Sequence, residues 1–160
     1  MKEIVDVYDL RQLSPMDRFN RCKEILRTEK DESLRWDAVW LAGETAELEG
    51  KKSSIFDQVA NLMGDVLKND DNSVVKHEAC YQIAMRKMHK KIPDLVNCAL
   101  HDRSSLVQHE AIEALGLLGA FDSKELVSKS LQSSNLDVRQ TAEFVKRRLE
   151  RIKNTPTLHA

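Results

Sequence analysis

VKHEACYQIAM (residues 75–85) and VQHEAIEALGL (107–117) are two copies of one pattern: an aliphatic residue, a polar residue, His-Glu-Ala, then apolar residues at helical spacing. LRWDAVWLAGE (34–44) and VRQTAEFVKRR (138–148) align with them on either side. The four segments begin at Leu34, Val75, Val107 and Val138, so the spacings are 41, 32 and 31 residues. A helical pattern recurring at such a period marks a solenoid, in which each unit buries its apolar stripe only against its neighbours. The longer first spacing is explained by Gly50-Lys51-Lys52-Ser53-Ser54, which reads as an added loop.

A second amphipathic stretch precedes each segment, at residues 15–28, 55–68, 92–100 and 122–132. Val59, Leu62, Val66 and Leu67 illustrate the helical periodicity. The polar linkers NDDNS, HDRSS and QSSN separate the two helices of a pair. Ser73, Ser104 or Ser105, and Asn135 are expected to cap the second helices. Pro93 is tolerated because it falls near a helix start. The chain is therefore read as all-α, an α-solenoid of about four helical-pair repeats. The repeats fall at 15–48, 55–89, 91–119 and 122–152, within a single domain over 1–160. Residues 1–14 and 153–160 flank the array and are expected to be poorly ordered.

The composition agrees: 32% charged, 41% hydrophobic, with five Gly and three Pro in 160 residues. So few helix breakers suit long helices joined by short turns. A formal net charge of −1 gives no general attraction to nucleic acid or a membrane surface. No apolar run reaches the ~18 residues of a membrane span, and MKEIVDVYDL lacks a signal-peptide pattern, so a cytoplasmic location is expected. Cys22, Cys80 and Cys98 are odd in number and form no CxxC, which favours free, buried thiols over a thiolate zinc site.

The candidate chemistry lies in the two central repeats. Helices pack with axes ~8–10 Å apart, so equivalent positions on adjacent second helices face each other at that distance. His77 and His109 are equivalent. Two imidazoles across such a gap can share one ion, because metal–nitrogen bonds are about 2.0–2.2 Å long. Glu78 and Glu110 each follow one residue later, turned ~100° around the helix. Either carboxylate can complete a 2-His-1-carboxylate set, which suits non-haem Fe(II) with open coordination positions. A helix's first turn also favours a carboxylate. The dipeptide His-Glu occurs only twice in the chain, both times in register. The outer repeats act as an internal control, carrying Trp36-Asp37 and Gln140-Thr141 at that position. The fold therefore does not require the pair.

His89 reads as a solvated residue of a basic turn, His101 as a linker residue and His159 as part of the tail. No phosphate-binding glycine loop, Ser-His-Asp spacing or HExxH is present. The basic run RKMHKK (86–91) lacks interleaved aromatics and reads as a turn, not a nucleic-acid patch.

On these repeats, with VKHEA and VQHEA in adjacent units, the chain resembles the deoxyhypusine hydroxylase family of HEAT-repeat di-iron monooxygenases. More broadly, it is similar to phycobilisome-lyase-like HEAT repeats. In the hydroxylases, two four-repeat halves face each other. Each half carries two His-Glu motifs, and together they hold two irons that activate O2 to hydroxylate a modified lysine on a translation factor. The resemblance covers residues 15–152 and looks like one half of such a protein. It implies that His77, His109 and Glu110 bind iron and that Glu78 is a further ligand or a catalytic acid gripping substrate. Two motifs instead of four imply a homodimer with C2 symmetry that rebuilds the di-iron site between the chains. Two other readings stand beside this oxygenase: a non-catalytic HEAT-repeat adaptor that binds a partner helix or tail, and a lyase-type chaperone.

Overall fold

The second helices of the pairs stack on one another more closely than the first helices do. That asymmetry makes the second-helix layer the inside of the curve. The computed structural model describes residues 6–155. Its four pairs are α1 (Pro15–Thr28) with α2 (Glu32–Glu49), α3 (Ser54–Asn69) with α4 (Ser73–Met85), α5 (Ile92–His101) with α6 (Ser105–Leu117), and α7 (Lys124–Ser130) with α8 (Leu136–Asn154). The chain is an all-α solenoid, with no strand among the described residues.

Local chemistry sets the helix starts. Ser14, Asp31, Ser53, Asn72 and Asn135 each place a side-chain oxygen on a first-turn N–H of the following helix. The cap of α4 is thus Asn72, one residue before the expected Ser73, because the longer amide side chain reaches both Val74 N and Val75 N. Ser104 precedes α6 but makes no side-chain cap bond. Asp102 instead accepts from Ser104 N at 2.9 Å, an Asx-type turn that orders the linker. Gly50 ends α2 at φ 85°, a conformation that L side chains rarely adopt, and this lets the chain turn into its longer loop.

Residues 7–12 depart from the expectation of a loose N-terminus. They form a 3-10 helix whose Val7 and Leu10 are buried against the first pair. Asp6 caps it, and the Arg18 guanidinium donates to the carbonyls of Leu10, Arg11 and Leu13. Those bonds satisfy backbone groups that a buried 3-10 turn leaves open. α8 likewise continues to Asn154, two residues beyond the expected end of the array. Residues 1–5 and 156–160, including His159, lie outside the described residues.

The core runs the length of the array. Phe19, Ile25, Leu41, Met63, Ile83, Leu95, Ile112 and Leu115 are fully buried, each contributing about 1.5–3 kcal/mol of transfer free energy. Polar side chains stitch the pairs together at a second repeated position. Arg35 on α2 reaches Asp70 in the α3–α4 linker at 3.1 Å, and Lys76 on α4 reaches Asp102 in the α5–α6 linker at 2.5 Å. In the third and fourth repeats Gln108 and Arg139 turn back to the linker carbonyls of Asp102 and Ser133. This ladder fixes the rise from one repeat to the next, and with it the placing of side chains on the inner layer.

Candidate metal centre

α4 and α6 bring His77, Glu78, His109 and Glu110 onto the inner layer one turn from their helix starts. These second helices of successive repeats pack directly on each other, and the histidine position of one meets the following position of the next. His77 Nε2 stands 3.0 Å from Glu110 Oε2. One repeat further on, His109 Nδ1 stands 2.6 Å from Thr141 Oγ1. The same rung is thus built twice, from the histidine position of one repeat to the residue after that position in the next.

Glu110 lies between the imidazoles. It is only 6% exposed, and its Oε2 is 4.0 Å from His109 Nε2 as well as 3.0 Å from His77. A buried carboxylate requires positive or hydrogen-bonding partners, and the His77 Nε2–H supplies one by donating to it. That bond to Glu110 outweighs partial burial and raises the His77 pKa above the ordinary imidazole value.

Glu78 takes a different course. Its Oε1 accepts from the buried Gln82 Nε2 at 2.8 Å, one turn along α4. Burial raises its pKa above the usual carboxylate range, and the Gln82 bond only partly offsets this. Gln82 in turn accepts from Arg86 Nε at 3.0 Å, and Arg86 pairs with Glu47 of the first repeat. The two glutamates of the motif are therefore unlike: Glu110 is bracketed by histidines, and Glu78 is tied into its own helix.

One further residue enters that the His-Glu register does not reveal. Glu113 lies one turn beyond His109, and its Oε2 is 3.5 Å from His109 Nε2. His109, Glu110 and Glu113 each offer a donor atom, all within 4.8 Å of one another. An ion about 2.1 Å from each donor needs them no more than ~4.2 Å apart, so small side-chain rotations close the set. The donors, one imidazole nitrogen and carboxylate oxygens, suit a borderline or hard divalent cation such as Fe(II), Mn(II) or Zn(II). Among the candidate residues, His77 reaches this group through Glu110, and Glu78 stands apart with Gln82. The sequence signal for Glu113 was its i+4 spacing from His109, which puts both on one helical face.

The surroundings carry apolar side chains at the positions equivalent to Glu113 and one turn beyond. Tyr81, Met85, Leu117 and Phe144 are all more than a third exposed. Trp36 packs against the core instead, and Asp37 accepts from the Tyr8 hydroxyl at 2.9 Å, which gives the outer pair a structural role.

The family profile described as HEAT repeats matches residues 19–116 and 60–145. Similar relatives include deoxyhypusine hydroxylase-B of Oryza sativa subsp. japonica, 34% identical over 105 residues, which are 59% of this chain and 34% of that protein. Deoxyhypusine hydroxylase of Homo sapiens is 32% identical over 83 residues, 51% of this chain and 28% of that one. The fold also superposes on a solved structure of human deoxyhypusine hydroxylase in complex with glycerol, with a TM-score of 0.72 and 22% identity over 91% of this chain and 48% of that chain. This chain therefore spans less than half the length of the relatives it matches.

Proposed function

The chain belongs to the HEAT-repeat family, and from that premise we propose that it is an iron-dependent hydroxylase of the deoxyhypusine hydroxylase type, its whole length acting as one repeat domain. The observation that carries this reading is the pairing of His-Glu motifs in adjacent repeats, with Glu110 facing both imidazoles at 3.0 and 4.0 Å. Relatives named deoxyhypusine hydroxylase match this chain at 34% and 32% identity over 105 and 83 residues. His109, Glu110 and Glu113 would hold the ion, with His77 as a further ligand once its proton leaves the Glu110 bond. Bound iron would supply the activation of O2 that hydroxylation needs.

The protein's own residues have distinct tasks in this reading. Glu110 brings negative charge into a buried position, which lowers the free energy of a cation there. Glu78, held by Gln82 and buried, would meet a cationic side chain arriving along the groove, where the positive charge would favour its ionised form. Tyr81 and Phe144 would flank the aliphatic part of a modified lysine and keep water from it.

The chain carries two motifs, and its relatives are about twice as long in the superposed case. The assembly that follows is a homodimer with C2 symmetry, the two inner layers facing each other and the apolar Met85 and Leu117 meeting between them. A translation factor bearing a modified lysine would be the protein substrate, and the cytoplasm the site of action.

Anaerobic reconstitution with Fe(II), followed by metal analysis and mass measurement in solution, tests the proposal. One ion per chain in a dimer, lost on replacing His77 and His109 by Ala, is the expected result. A strictly monomeric protein that retains no iron overturns it. The exposed apolar residues also favour a non-catalytic adaptor, and that reading expects the same variants to leave metal content at background.

A further inference from the structure

Thr141 has a single hydroxyl proton, and the structure says where it goes. Thr141 Oγ1 donates to the Asp137 carbonyl at 2.7 Å, one turn back along α8. A carbonyl oxygen only accepts, so this bond uses the hydroxyl proton. The same Oγ1 lies 2.6 Å from His109 Nδ1. With its proton engaged, Thr141 has only lone pairs to offer there, and Nδ1 must be the donor. Neutral His109 then carries its proton on Nδ1, leaving an electron pair on Nε2.

That electron pair faces Glu113 Oε2 at 3.5 Å and Glu110 Oε2 at 4.0 Å. Lone pair and carboxylates repel unless a cation lies among them. His77 solves the corresponding problem the other way round, spending its Nε2 proton on Glu110. The difference follows from the residue in the next repeat. Where that residue is Glu110 the histidine gives up its Nε2 to a carboxylate, and where it is Thr141 the histidine is bound by Nδ1 and keeps Nε2 open.

We propose that Thr141, from the repeat that lacks a His-Glu pair, is a positioning residue: it fixes His109 in the Nδ1–H tautomer and so presents Nε2 as a metal donor. The tautomer stands independently of any ion, whereas its consequence rests on the metal-centre reading above. The fourth repeat then belongs to the site without contributing a ligand. This is the arrangement by which a hydrogen bond on one imidazole nitrogen orients the other and raises its basicity.

The test uses the full-length, metal-free protein with 15N-labelled histidine, at about pH 8.5, above the ordinary imidazole range. Nitrogen shifts and long-range couplings assign each ring. His109 is expected to show protonated Nδ1 and unprotonated Nε2, Thr141→Val to shift it to a mixture or to Nε2–H, and Thr141→Ser to restore it. Fe(II) titration under argon is expected to show about a 10- to 100-fold weaker affinity in Thr141→Val, again restored by Ser. An Nε2–H tautomer in the wild type, or an unchanged tautomer in Thr141→Val, overturns the proposal. If the wild type shows Nδ1–H yet binds no Fe(II), the tautomer assignment is supported and the metal reading is what fails.

Discussion

Gln82 fills the space beside Gly43. The carboxamide of Gln82, on α4, lies where a β-carbon on Gly43 of α2 would stand, and its Oε1 is the atom that would be struck. Gln82 is fully buried and holds Glu78 through its Nε2. The absence of a side chain in the first repeat thus sets the orientation of an acid in the second.

Gly43→Ala is expected to displace Gln82 and cost about 1–3 kcal/mol, the usual range for overpacking a tight contact. Urea unfolding measures this. Gly43→Ala combined with Gln82→Ala removes the overlap but also the Glu78 partner, so the double variant should regain packing and still leave Glu78 loose. Equal stability of Gly43→Ala and wild type would show that the two helices separate freely.

The carboxylates near His109 should differ in weight. Glu110→Gln removes the buried charge facing both imidazoles and is expected to abolish Fe(II) retention after desalting. Glu113→Gln, on the more exposed edge, is expected to weaken it about tenfold, or ~1.4 kcal/mol. Identical losses for both would contradict the geometry, in which Glu110 alone faces two histidines.

The linker ladder carries stability and also sets the spacing of the helices that bear the site. Lys76 and Asp102 have side chains 15% and 6% exposed, so removing one partner strands a largely desolvated charge. Lys76→Met is expected to cost about 3 kcal/mol. Asp102→Ala should cost more, because Asp102 also accepts from Ser104 N and orders the turn before α6. Denaturant midpoints rank the two. Fe(II) affinity in the folded fraction of either variant should fall as well, since the ladder sets the rise between α4 and α6.

The thiols should respond unequally to pH. Burial raises the Cys22 pKa from 9.0 to about 12. A neutral thiol is favoured in the fold and a thiolate in the unfolded chain. The stability that Cys22 contributes is therefore complete below pH 9.0 and declines as pH rises toward 12. Stability measured from about pH 8 to 11 should fall more steeply in wild type than in Cys22→Ala. Cys98 behaves differently, because a hydrogen bond from Cys80 lowers its pKa while Cys80 itself is raised.

Much of this was legible in the residues, and the reasons for the rest are specific. The repeats and helix pairs were readable because each second helix restates one apolar stripe after a capping linker. The 3-10 helix at 7–12 was not, since two buried residues, Val7 and Leu10, give no period to detect. Of the site, the register of His77 with His109 was visible, whereas the residues left Glu78 and Glu110 as alternatives and only the family resemblance favoured Glu110. Glu113 escaped because the equivalent position holds Trp40, Tyr81 and Phe144 in the other repeats, which masks it as an aromatic site. Thr141 looked like mere absence of the motif. Only the second bond of its hydroxyl, to Asp137, gives it a role, and such a bond depends on a rotamer that sequence does not display.

The rungs from His77 to Glu110 and from His109 to Thr141 have a mechanical meaning. Each joins neighbouring coils of a spring, and each is short enough that only one pitch satisfies it. Stretching or unwinding the coil pulls both rungs apart together, while an ion or proton held among them resists that strain. A positive charge placed between His77 and Glu110 would tighten the coil at that point, and stretching the coil would loosen its hold on that charge.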